Sequence, residues 1–121
     1  MSTTDTEQHS SAVAVVQEQL DAYNARDLQR LSAVYGEHVT VFQPPRIDPS
    51  IVGRSALLEF YGAQRFGLPG LHAQLLHRIV LSDLVVDHRR IAGVEKAKFE
   101  VVAVYEVHGG KIQSVWFFSR K

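Results

Sequence analysis

The order of patterns in this sequence predicts an α+β domain, three N-terminal helices packed on a curved antiparallel β-sheet. Helical spacing of apolar residues is confined to the part before Gly70. Strand-like segments fill the part after it, and Gly109-Gly110 joins two of them as a primed two-residue hairpin turn. Helices first and a strand meander second put the helices on one face of the sheet.

Residues 1–9 are polar and are expected to be disordered, leaving 10–121 as a single domain. From about Ser10, Val13, Val16, Leu20 and Tyr23 form one helical stripe that ends near Ala25. Asp27 is placed as the N-cap of a short second helix with Leu28, Leu31 and Tyr35 inward, stopped by Gly36. His38 to Gln43 alternates as a strand, and Pro44-Pro45 ends it because proline cannot donate to a ladder. A third helix begins at Gly53, with Leu57, Phe60, Tyr61 and Gln64 on one side, and breaks at Gly67 to Gly70. Strands are predicted at about Leu71–Leu81, Leu84–Ala92, Ala97–Val107 and Ile112–Arg120.

With 121 residues the chain can bury a substantial core without staples. Thirteen basic and thirteen acidic residues cancel, which argues against a nucleic-acid partner, since that would normally show a basic patch. There is no cysteine, so disulfide and thiolate chemistry are excluded. No apolar run reaches membrane-spanning length and no basic-then-apolar leader opens the chain, so a cytoplasmic protein without a membrane partner is expected.

The stretch Leu84 to Ala92, reading L-V-V-D-H-R-R-I-A, organises the rest. Alternate strand residues face opposite ways, so one of Asp87 and His88 must point inward, where an ionisable group is costly. The Ser82-Asp83 turn opposes Leu81 to Leu84, Ile79 to Val86 and His77 to His88. Gly109-Gly110 opposes Val107 to Ile112, Tyr105 to Ser114, Ala103 to Trp116 and Val101 to Phe118. An even loop near Val94-Glu95 then puts His77, His88, Val101, Ala103, Tyr105, Trp116 and Phe118 on the interior face; an odd loop reverses the first two strands and puts Asp87 inside. The even register is the working expectation, with Asp87 and Arg89 as a solvated or interface pair.

V-V-Q-E-Q-L-D-A-Y-N-A-R-D-L from Val15, G-R-S-A-L-L-E-F-Y from Gly53 and V-Y-E-V-H-G-G-K-I from Val104, in this order of elements, resemble the nuclear-transport-factor-2-like superfamily. The nearest branches in appearance are the SnoaL-like and ketosteroid-isomerase-like ones. The resemblance implies a cone-shaped fold enclosing a pocket between helices and sheet, and commonly a homodimer. It does not carry the isomerase chemistry. The branch's oxyanion tyrosine falls at Gln19, its base aspartate at Gln43 and its protonated aspartate at Ala103. A glutamine amide donates a hydrogen bond but is no base at neutral pH.

Two function classes follow. One is an isomerase- or hydrolase-like enzyme acting on an apolar ligand, with His88 as acid or base and His77 and Gln43 as its catalytic partners, since imidazole titrates near neutrality. The other is a non-catalytic binder of an apolar molecule or a dimeric accessory domain. In both, Gln19, Tyr23, Phe60, Val101, Ala103, Trp116 and Phe118 are the expected ligand-binding residues. His72 and His77 fall on opposite faces of their strand and no H-E-x-x-H spacing occurs, so neither metal nor cofactor is expected. The sheet's other face, with Val102, Val104, Val115 and Phe117 among Glu100, Glu106 and Gln113, is the expected homodimer surface.

Overall fold

The structure, a computed structural model, describes residues 3–120, with side chains described from Ser11 to Ser119. Its elements are α1 (Thr3–Ala25), α2 (Leu28–Val34), β1 (Tyr35–Phe42), β2 (Ile51–Val52), α3 (Arg54–Gln64), β3 (His72–Leu81), β4 (Leu84–Ala92), β5 (Phe99–His108) and β6 (Lys111–Arg120). Of the stretch 1–9 expected to be disordered, Met1 and Ser2 lie outside the described residues, and the backbone is helical from Thr3.

Local chemistry accounts for most element boundaries. The Asp27 carboxylate accepts from the Arg30 amide at 3.0 Å, as an N-cap does. The α1 stripe buries Val16, Leu20 and Tyr23 as expected, and adds Ala12, Gln19 and Ala22. Asn24 then fastens the end of α1 to β3: its amide donates to the Ala73 carbonyl at 2.9 Å and its carbonyl accepts from the Ala73 amide at 2.8 Å. Gly109 and Gly110 both take positive φ, 61° and 74°, as a primed hairpin turn requires.

The sheet runs β2-β1-β6-β5-β4-β3, with the helices and the core on one face. β1 pairs parallel with β6, so the sheet is mixed rather than antiparallel throughout. A hairpin turn marks only neighbouring strands, and nothing local signals a pairing between segments this far apart.

Two registers differ from expectation, and both decide the site. Ile91 pairs with Phe99 across the middle loop, which leaves an odd number of residues between them. Asp87 therefore faces Ala103, Arg89 faces Val101 and His88 faces Val102. That is the second of the two registers set out above, and it turns Asp87 and Arg89 inward and His88 outward. Gly93 is where the loop earns its path: at φ +88°, a Cβ there would lie 2.5 Å from the Leu71 amide nitrogen. In the last hairpin Val107 pairs with Ile112, but a bulge follows, and Glu106 pairs with Ser114 and Tyr105 with Val115. One extra β6 residue flips every side chain beyond it. Val115 and Phe117 thus face the core side, while Trp116 and Phe118 lie on the outer face, opposite to the expected assignment. The bulge coincides with a close packing, because a Cβ on Gly36 would meet the Gln113 side chain at 2.3 Å.

Candidate functional site

Between the helices and the core-side face of the sheet lies a cavity of about 450 Å³. Tyr23 of α1 and Phe60 and Tyr61 of α3 form one wall, their rings meeting edge-on at 5.8 Å (Tyr23–Tyr61) and 5.5 Å (Phe60–Tyr61). Ile91, Phe99, Val101 and Phe117 of the sheet supply apolar surface opposite. Gln43 and Glu95, both exposed, stand at its edge, with Arg65 stacked over the Phe60 ring at 4.8 Å.

The polar end is built from residues two apart on one strand. Asp87 and Arg89 share a face by strand alternation, and Arg78 reaches the same carboxylate from its paired position on β3. Arg78 grips both carboxylate oxygens, Nε to Oδ1 at 2.6 Å and Nη2 to Oδ2 at 2.9 Å. Arg89 adds Nε and Nη2 to Oδ2, at 3.0 and 2.7 Å. Glutamines close the two ends: Arg78 Nη1 donates to Gln17 Oε1 at 2.9 Å and Arg89 Nη1 to Gln19 Oε1 at 2.8 Å. Asp87 is 0% exposed and Arg89 4%, so the pair expected in solvent is buried. Burial alone would lower the Arg89 pKa, but Tyr105 and Asp87 outweigh it and leave the guanidinium more firmly charged than usual.

Arg89 lines the cavity with its guanidinium 5.1 Å above the centre of the Tyr105 ring. Its bonds to Asp87 and Gln19 employ one hydrogen on each of its three nitrogens, out of five N–H groups in all. Tyr105 also lines the cavity. Its hydroxyl is buried and, among the described residues, has no hydrogen-bond partner. Buried polar atoms are seldom left so, and one that is asks for an explanation such as a ligand or an ordered water. Burial raises the Tyr105 pKa, so at neutral pH this phenol is a donor. Tyr35 and Tyr61 are shifted up for the same reason, and Gln19 hydrogen-bonds Tyr35.

Of the residues expected at the site, Gln19, Tyr23, Gln43, Phe60 and Val101 line the cavity. Ala103 is fully buried on the same sheet face, paired with Asp87, but is not part of the lining. His77 and His88 are paired as the turn dictates, their rings stacked 5.5 Å apart, yet on the outer face. There His88 Nε2 contacts Glu100 Oε1 at 2.5 Å, and that hydrogen bond holds the Glu100 pKa below its ordinary value. The odd loop is the physical reason the histidines miss the cavity. Trp116 and Phe118 miss it because of the β6 bulge, and Trp116 stacks instead on Phe42 at 5.6 Å. Arg78, Arg89, Tyr105 and Arg65 were not expected as site residues. The D-x-R spacing and the turn that opposes Arg78 to Asp87 were the signals available for the first two.

Among the described residues one trio of potential metal ligands stands elsewhere, Asp83, Glu106 and His108 near the outer hairpin ends. They already pair with each other, His108 Nδ1 to Asp83 at 3.4 Å and Nε2 to Glu106 at 3.3 Å. No helix among the described residues is long and apolar enough to cross a membrane.

The sequence matches the SnoaL-like domain family over residues 16–115. No curated protein matches it. Among solved structures, an NTF-2-like protein of unknown function from Burkholderia xenovorans LB400 is similar at a TM-score of 0.81 and 14% identity, covering 94% of this chain and 86% of that one. A protein described as a candidate ketosteroid isomerase from Kribbella flavida aligns at a TM-score of 0.80 and 18% identity, over 93% of this chain and 80% of the other. An LEH-like epoxide hydrolase of M. tuberculosis gives 0.80 and 18%, over 93% and 84%. At these identities the likeness establishes the shared fold, and the chemistry has to come from the cavity itself.

Proposed function

Because the chain belongs to the SnoaL-like domain family, we propose that its cavity binds a small, largely apolar molecule through one oxygen atom that accepts hydrogen bonds from Tyr105 and Arg89. The observation that carries this is the buried Tyr105 hydroxyl, without a hydrogen-bond partner among the described residues, on a ring packed under the Arg89 guanidinium, Tyr105 and Arg89 both being lining residues of the cavity. The remaining walls are aromatic and aliphatic, the usual composition of a site that fixes an apolar body by a few polar contacts. Among the described residues no histidine lines the cavity, so His77 and His88 give histidine acid–base chemistry no support at this site.

The test is calorimetric titration with 2-acetylnaphthalene, a flat apolar ketone small enough for a cavity of this volume. Saturable one-to-one binding is expected, weakened by about tenfold in Tyr105→Phe, which removes one hydrogen bond to the ketone. Absence of saturable binding both of this ketone and of an aromatic acid of the same shape would end the proposal.

A catalytic reading is favoured by one specific observation: among the described residues, Glu95 is the single carboxylate in the lining. A ketone oxygen held by Tyr105 and Arg89 has more acidic neighbouring C–H bonds, and a carboxylate base removes such a proton. Proton NMR in deuterium oxide checks this directly. Exchange of the 2-acetylnaphthalene methyl protons, lost in Glu95→Gln, supports catalysis, and no exchange above buffer leaves the protein a binder. Either way the outer sheet face, with Val102, Val104, Trp116 and Phe118, is assigned to pairing of two copies.

A further inference from the structure

Resting on that reading, we infer that the ligand is an organic anion, a carboxylate or its electronic equivalent, rather than a neutral ketone or alcohol. Charge behind the cavity wall does not balance. Asp87 is shared by Arg78 and Arg89, so the buried cluster holds two cations for one anion. The residues at its ends, Gln17 and Gln19, bring dipoles and no charge. At the edge Arg65 and Glu95 offset one another, and Glu95 is exposed, where water screens it. The surplus positive charge therefore lies behind the cavity wall, and Arg89 is the member of the cluster that lines the cavity.

Asp87 and the Tyr105 ring hold the Arg89 cation, but one positive charge of the cluster stays unbalanced until an anion completes it. A carboxylate does so and also matches the donors present. Beyond its bonds to Asp87 and Gln19, Arg89 keeps one N–H on Nη1 and one on Nη2, and a carboxylate presents two oxygens to accept them. The Tyr105 hydroxyl, a neutral donor that nothing else engages among the described residues, adds a third hydrogen bond to the same group. A ketone has one acceptor oxygen and leaves the surplus charge in place. Arg78 does not line the cavity; it acts through Asp87, by taking up much of the carboxylate's charge and so leaving Arg89 short of it.

The experiment compares 2-naphthoate with 2-acetylnaphthalene, which have nearly the same shape and differ in charge, by calorimetry at pH 7 in low and in physiological salt. Wild-type protein is expected to bind the carboxylate at least about tenfold more tightly than the ketone. In Arg78→Met, Asp87 keeps Arg89 as its partner and the cluster becomes neutral, so the carboxylate-to-ketone ratio should fall toward one. Circular dichroism confirms that the variant is folded, and if it is not, the wild-type ratio decides alone. Equal binding of the two probes, or tighter binding of the ketone, overturns the anion assignment while leaving the cavity reading intact. A carboxylate preference that survives in folded Arg78→Met overturns the assignment of the charge to this cluster. If neither probe binds, both readings fall together.

Discussion

Replacing Asp87 by asparagine changes charge without changing shape, which makes it a direct probe of the buried cluster. Four N–H···O contacts converge on the carboxylate, three of them on Oδ2 and one on Oδ1. The amide does best with its carbonyl in the Oδ2 position, keeping three contacts. Its NH2 then faces the Arg78 Nε across a gap that was 2.6 Å, donor against donor. Both guanidiniums also lose their counter-charge in a site where Asp87 is 0% exposed. Breaking a buried pair from one side costs about 3–5 kcal/mol. The lower end applies here, because the Arg78 side chain is 13% exposed and can lean toward water. A loss of ~3 kcal/mol is a large part of a stability of roughly 5–15 kcal/mol. With a urea dependence of about 1.5 kcal/mol per molar, the unfolding midpoint should drop by about 2 M. Urea titration followed by far-ultraviolet circular dichroism measures it, with Asp48→Asn as an exposed control expected within about 0.5 kcal/mol of wild type. A change below ~1 kcal/mol in Asp87→Asn, or a gain, would refute the claim that this buried carboxylate holds both cations.

Three further outcomes are expected. Burial raises the pKa of all four tyrosines, Tyr23, Tyr35, Tyr61 and Tyr105, so the stability they contribute is complete below the unfolded value of about 10 and declines as pH rises through the folded values, by about 1.4 kcal/mol per pH unit for each phenol. Phenolate absorbance should therefore appear together with loss of ellipticity in an alkaline titration, and phenols ionising near pH 10 in folded protein would contradict it. Gly93→Ala should cost at least about 2 kcal/mol in the same urea assay, since it combines a φ of +88° with a 2.5 Å approach to backbone; a near-neutral result would show that the loop can move aside. Light scattering at micromolar concentration should give a dimer mass for wild type and a monomer mass for folded Phe118→Asp, and a wild-type monomer would remove the outer face as an interface.

The fold was legible because its signals are local. Asp27, Gly53, Ser82-Asp83 and Gly109-Gly110 sit at element boundaries, and each acts through the few residues beside it. The pairing of His77 with His88 and of Ile79 with Val86 follows from one two-residue turn in the same way. The site was less legible because it depends on parity. An irregular loop from Gly93 to Lys98 carries no turn signature that counts its residues, and one residue decides whether Asp87 or His88 faces the core. The β6 bulge beyond Ile112 is equally silent in the sequence: both faces of that strand offer large apolar residues, Val115 and Phe117 on one and Trp116 and Phe118 on the other. Apolar pattern therefore could not choose between them. Tyr105 was placed on the correct face, but only its environment reveals that its hydroxyl lacks a partner.

Asn24 has a consequence for how copies of this molecule can meet. β3 is the sheet's outermost long strand, and at Ala73 its outward amide and carbonyl are both occupied by the Asn24 side chain. The opposite margin is β2, only two residues long. An incoming strand therefore finds the pairing groups of Ala73 taken on one margin and only two residues on the other, which hinders side-by-side addition at those points. What is left to adhere is a face, and a face used on both partners about a two-fold axis is consumed when two copies have met. The amide at the end of α1 thereby takes up pairing groups that would otherwise face outward from the edge of β3.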